Sequence, residues 1–135
     1  MTTLQALTTA LVEHVGAALD VPAIDWPTLT PPVPGVVIHP GGPSGTFATN
    51  DGGGTWELSY SLVTFQAVAE ERAAMHAWMA WVETMRTALD DFTTDDGDVS
   101  DVVVTRALEP RVVSLGQGTP AMAGQFDITL TISDC

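Results

Sequence analysis

Few residues in this chain have the type and spacing to do chemistry. The three histidines, His14, His39 and His76, would be the first candidates for a metal ligand or a general base. A zinc site of the His-Glu-x-x-His kind needs two imidazoles on one helix face, a turn apart. His76 is followed by Ala77 and Trp78, with no second histidine within a turn. The spacing predicts ordinary core or surface histidines and no metal site. Asp90, Asp91, Asp95, Asp96, Asp98 and Asp101 would attract calcium, but a calcium-binding EF-hand loop needs glycine at its sixth position. Placing Gly97 there puts Phe92 where the first carboxylate belongs, so these acids read as a solvated turn.

The remaining motifs fail on context. Gly116-x-Gly118-x-x-Ala121 resembles a loose dinucleotide fingerprint, which works only when a helix N-terminus follows it. Pro120 and Gly124 lead into a strand instead. Gly42-Pro43-Ser44-Gly45 lacks the Gly-x-Ser-x-Gly spacing of a nucleophile elbow. Glu70 and Glu71 are acids that no neighbouring signal places in a pocket. The chain has no lysine, which excludes a Walker A lysine, a Schiff base and a Ser-x-x-Lys nucleophile. The expectation is therefore a protein that is not an enzyme, with no catalytic residues, no cofactor and no metal.

Composition points the same way. The chain has 135 residues, four basic and seventeen acidic side chains, and a formal net charge of −13. Four arginines do not make the basic face that holds nucleic acid without sequence preference. Leu, Val, Ile and Phe are frequent enough for a folded core despite the charge. The single cysteine, Cys135, allows no intrachain disulfide. The opening MTTLQALTTALVEHV has neither a basic start nor a continuous apolar run, so no signal peptide is expected, and no apolar run is long enough for a membrane span.

Hydrophobic spacing supplies the elements. Leu4, Leu7, Leu11, Val15 and Ala18–Leu19 predict a helix over 3–20, with Thr2 or Thr3 as N-cap. Residues 22–35 carry five prolines and read as an extended connector, and 35–40 as a short strand. Residues 40–54 are rich in Gly and Pro and read as a long mobile arm at a hairpin tip. Trp56, Leu58, Tyr60 and Leu62 alternate in a strand over 55–69. Beyond Leu62 the apolar parity shifts to Val63, Phe65 and Ala67, which implies either a β-bulge or a strand buried on both faces. Met75, Trp78, Val82, Met85, Leu89 and Phe92 mark a helix over 70–92, with Trp78 and Trp81 read as helix packing. An acidic turn follows over 93–101. Residues 102–108 form a strand that 111–115 continue past Pro110 at an edge or bulge. After a loop at 116–120, Phe126, Ile128, Leu130 and Ile132 point inward from a strand over 125–133, with Asp127, Thr129, Thr131 and Ser133 outward. The expected fold is a single α+β domain over 1–135. One mixed or antiparallel sheet is flanked on one face by two helices, in the order α-β-β-α-β-β, with the arm at 40–54.

This order of elements is similar to that of the tail terminator proteins of long-tailed, non-contractile bacteriophages, also called tail completion or tail-to-head joining proteins. The resemblance rests on the Leu4-x-x-Leu7 helix, the connector Pro22–Pro34 and the strand Trp56–Ala69. It rests also on the helix 70–92 with its Glu-Glu-Arg opening and Met75-x-x-Trp78, and on the closing Phe126-x-Ile128-x-Leu130 strand. The lysine-free, Ala/Thr/Val/Asp-rich composition resembles that of a phage of a high-GC host. The resemblance implies a structural virion protein at the neck: a homo-hexameric ring that caps the tail tube, with the tail tube protein on one side and a head-side connector on the other. Genomic DNA would slide through its acidic lumen without specific binding, and no membrane would be involved. It would be made in the host cytoplasm. The expected assembly contacts are an arm carrying Phe47, Thr49, Asn50 and Asp51 and a second loop carrying Gln117, Thr119 and Met122. Deleting 41–53 is expected to leave the fold intact and block docking. The alternatives are another neck protein, such as a head-closure protein or connector adaptor, and an acidic inhibitor that mimics DNA.

Overall fold

The computed structural model describes residues 4–25, 33–41, 47–50, 52, 54–68, 70–92, 99–114 and 120–133. Its elements run α1 (Leu4–Leu19), β1 (Ala23–Ile24), β2 (Gly35–Pro40), β3 (Ala48–Asn50), β4 (Thr55–Ala67), α2 (Glu71–Asp90), β5 (Val99–Ser114) and β6 (Pro120–Ser133). The fold is α+β, with two helices and one mixed sheet of six strands in the order β1-β2-β4-β6-β5. β3 pairs with β4 beside β2, and only β1 and β2 run parallel. The short strands β1 and β3 fall inside the proline connector and the arm, where hydrophobic spacing carries no strand signal.

Both helices lie on one face. Leu7, Leu11 and Val15 of α1 and Met85 and Leu89 of α2 join Val36, Ile38, Leu58, Tyr60, Leu62, Phe126, Ile128 and Leu130 in one buried cluster. This is the period-2 face of the strands meeting the apolar stripes of the helices. On α2 the buried stripe is Ala74, Trp78, Met85 and Leu89, and Met75 and Val82 are only half-buried. Trp81 packs against the core. The expected N-caps Thr2 and Thr3 lie outside the described residues. At its other end α1 stops where Asp20 takes a left-handed conformation (φ 54°) and the Val21 amide donates to the Gly16 carbonyl at 3.2 Å. That bond is the outer closure of a Schellman turn.

The parity change in β4 is not a bulge. β4 pairs with β6 without a break from Thr55↔Ser133 to Ala67↔Ala121. Val63 and Phe65 therefore point to the face opposite the helices, while the buried polar residues Thr64 and Gln66 take the helix side at this end. β5 is the edge strand and runs on past Pro110, with register shifts at Val99/Asp101, Val104/Arg106 and Leu108/Arg111. Proline at an edge bulge removes no ladder hydrogen bond. β5 begins at Val99, inside the stretch expected to be an acidic turn, and β6 begins at Pro120, before the expected start at Gln125.

Candidate assembly surfaces

Register places one residue from each of four strands in a row across the sheet, on the face away from the helices. His39 pairs with Ser61, Ser61 with Asp127, and Asp127 with Arg106. Asp127 belongs to the alternating set expected to point to solvent, yet it is 1% exposed. Its burial is a correction to that expectation, and the partners explain it. Ser61 Oγ donates to Asp127 Oδ1 at 2.8 Å, Gln125 Nε2 donates to the same oxygen at 3.1 Å, and Arg106 Nε donates to Oδ2 at 3.1 Å. A buried carboxylate is tolerable when charge-assisted hydrogen bonds replace its hydration in this way.

The same row holds the root of the arm. Ser61 Oγ also lies 2.9 Å from the Gly41 carbonyl, and the Gly41 amide donates to the Ser59 carbonyl at 2.8 Å. Gly41 has φ 114°, a conformation that favours glycine where the chain leaves β2. The arm then returns to the sheet. The Ser59 amide donates to the Phe47 carbonyl at 2.7 Å, and β3 follows with Thr49 opposite Glu57 and Asn50 opposite Trp56. Phe47 is half-buried, its ring edge-on to Tyr60 at 5.3 Å between centroids. Thr49 and Asn50 are exposed, and Asn50 Oδ1 accepts from the Gly52 amide at 2.6 Å. The described part of the arm is therefore a strand tied to β4. Asp51 lies outside the described residues.

Of the second expected surface, Gln117 and Thr119 also lie outside the described residues. Met122 does not sit on a loop: it is in β6, 1% exposed, opposite Gln66 and Val112. The structure does not bring Met122 together with Phe47, Thr49 or Asn50 at one surface.

One surface escaped the sequence reading. Beyond the polar row, the same sheet face carries two further cross-strand rows, Val63–Gln125–Leu108 and Phe65–Ala123–Arg111, with Val113 opposite Ala121 in the next. Val63, Phe65, Ala123 and Val113 are partly exposed, and Leu108 is 36% exposed. Val63, Leu108, Glu109, Arg111 and Val113 line a shallow groove there. Neither helix touches this side of the sheet. The parity change after Leu62 was its trace in the sequence.

The histidines are placed as ordinary side chains. His14 Nε2 lies 2.6 Å from the Ala88 carbonyl and joins α1 to α2, with its ring 5.2 Å from that of Phe92. His76 is exposed on α2, and His39 is half-buried beside Ser61. Among the described residues no group of three or more His, Cys, Asp or Glu side chains converges as metal ligands do, and no helix is long and apolar enough to cross a membrane. No protein-family model matches the chain, and no curated protein matches it significantly.

Proposed function

We propose that this chain is a structural assembly protein of the tail-terminator kind, a subunit of a ring that caps a phage tail tube and meets a head-side connector. The observation that carries this reading is the half-exposed apolar groove on the back of the sheet. A two-layer protein with its helices on one face and an apolar strip left on the other has one side to offer a neighbour and a different side to receive one. Contacts between unlike faces generate rings when the rotation closes. The described arm adds a second feature of the right kind: its root is clamped through Gly41 and Ser61, while Thr49 and Asn50 face solvent. A net charge of −13 suits a lumen that DNA must cross without sticking.

The test is stoichiometry. Native mass measurement of the chain bound to isolated tail tubes is expected to give six copies per tube end. One or two copies would overturn the ring, and no binding to tubes would overturn the tail role.

A further inference from the structure

The groove on the back of the sheet carries a charge pattern as well as an apolar floor. Val63, Leu108 and Val113 line it, with Glu109 and Arg111 between Leu108 and Val113 on β5. Arg111 is exposed and makes no ion pair among the described residues, whereas Arg106 is held by the buried Asp127. The opposite layer of the molecule carries a matching set. Met79 on α2 is 53% exposed. Glu83 and Arg86, four and seven residues further on, are also exposed. That spacing places the three along one stripe of the helix surface.

We infer that the stripe Met79–Glu83–Arg86 of one copy docks into the Val63–Leu108–Val113 groove of a second copy of this chain, with Glu83 on Arg111 and Arg86 on Glu109. The inference rests on the assembly reading above and names its contact. Along β5 the order is Leu108, Glu109, Arg111, Val113, and along α2 it is Met79, Glu83, Arg86, so with Met79 at the Val113 end of the groove each charge has an opposite to meet. A groove-to-groove dimer could also pair Glu109 with Arg111 across its two-fold axis, but it would leave Met79 uncovered. Because the stripe and the groove lie on opposite layers, the contact is front to back. It repeats from copy to copy and closes into a ring or extends into a filament.

Two experiments on the full chain test this. In a Cys135→Ser background, Met79→Cys and Val113→Cys copies are mixed and treated with a short bismaleimide. Product joining Met79→Cys to Val113→Cys is expected to dominate both like-with-like products. Absence of that excess at the highest soluble concentration overturns the inference, and a dominant Val113→Cys pair would show the groove meeting itself. Second, Arg111→Glu and Glu83→Arg are each expected to weaken self-association about tenfold or more. Mixing the two single variants sets opposite charges at both contacts and restores assembly with the two variants alternating, whereas unchanged association in both variants overturns the pairing. Circular dichroism of each variant separates lost association from lost folding. Crosslinking without binding to tail tubes would keep this contact and remove the tail role. Six copies on tubes without crosslinking would do the reverse.

Discussion

The indole of Trp78 occupies the space that a side chain on Gly124 would fill. A Cβ on Gly124 would lie 2.6 Å from Trp78 Cε2 and closer still to the indole nitrogen. Glycine in a strand interior ordinarily weakens it, and one sound reason for its presence is close approach by another element. Here that element is the first half of α2, whose Ala74 and Trp78 settle onto β6 through this gap. Gly124→Ala is therefore expected to destabilise the fold by about 2 kcal/mol through overpacking. Trp78→Ala should cost about 3 kcal/mol or more through the cavity it leaves. Urea denaturation measures both. If the double variant is less impaired than the sum of the singles, the two residues share one packing site.

Tyr60 offers a reporter of the opposite edge of the core. It is fully buried, and burial pushes its phenol above the usual value of 10.0, with the hydrogen bond to Thr8 pulling the other way. The Tyr60 and Thr8 hydroxyls lie 2.8 Å apart, and on ionisation Thr8 can turn its proton from the Leu4 carbonyl, 2.9 Å away, to the phenolate, which is the downward pull. The folded state holds the phenolic proton more tightly than the unfolded one. Stability from this group is therefore present below pH 10 and falls as pH rises through the folded pKa. Tyr60 is the only tyrosine in the chain. Phenolate absorbance should thus titrate above pH 10 in the native protein and near 10 in denaturant. Tyr60→Phe should flatten the alkaline loss of stability attributable to this group while costing about 1 kcal/mol at neutral pH.

Burial explains which parts of this fold were legible in the sequence. The cores of α1, β4, α2 and β6 show clear periodicity because each buries one continuous face, and that face repeats every 3.6 or 2 residues. β1 and β3 have two and three residues, too few to make a pattern. Pro120–Gly124 lacks β-branched residues and reads as loop, yet it pairs on both sides, with β4 and β5. The burial of Asp127 is hidden for a different reason. Alternation assigns a residue to a face but says nothing of what covers it there. That Ser61, Gln125 and Arg106 enclose the carboxylate depends on strand register, which no single segment encodes. The same cause hid the groove: Val63, Leu108 and Val113 come from two strands that only pairing with β6 between them brings together.

The polar row predicts an asymmetric response to truncation. Asp127→Ala leaves the Gln125 amide and the Arg106 guanidinium without their acceptor, while Ser61 keeps the Gly41 carbonyl, and is expected to cost about 2 kcal/mol. Arg106 is 45% exposed, so water replaces much of what it loses, and Arg106→Ala should cost about 1 kcal/mol. Asp127→Asn keeps an acceptor oxygen for Ser61 and should fall between the two. Thermal denaturation of the three variants orders them. Equal costs for Arg106→Ala and Asp127→Ala would mean that the ion pair, not the hydrogen bonds from β4 and β6, is what the row contributes.

The arm now divides into parts with different expected effects. Deleting 41–53 would remove β3, both backbone hydrogen bonds at the arm root, and the Phe47 ring that lies edge-on to Tyr60, so the expectation that the fold survives intact gives way. That deletion should lower stability as well as docking. Single residues separate the two. Phe47 is half-buried against the core, and Phe47→Ala is expected to cost about 2 kcal/mol, less than a fully buried phenylalanine. Thr49 faces solvent on β3. Thr49→Arg should leave stability within about 0.5 kcal/mol. If the arm contacts a neighbouring ring, the long cation at that position should nonetheless block binding to tail tubes. Binding assays on tubes, set beside the denaturation curve of the same variant, check this. A Thr49→Arg chain that binds as the wild type does would remove β3 from the assembly surface and leave the groove on the back of the sheet to carry it.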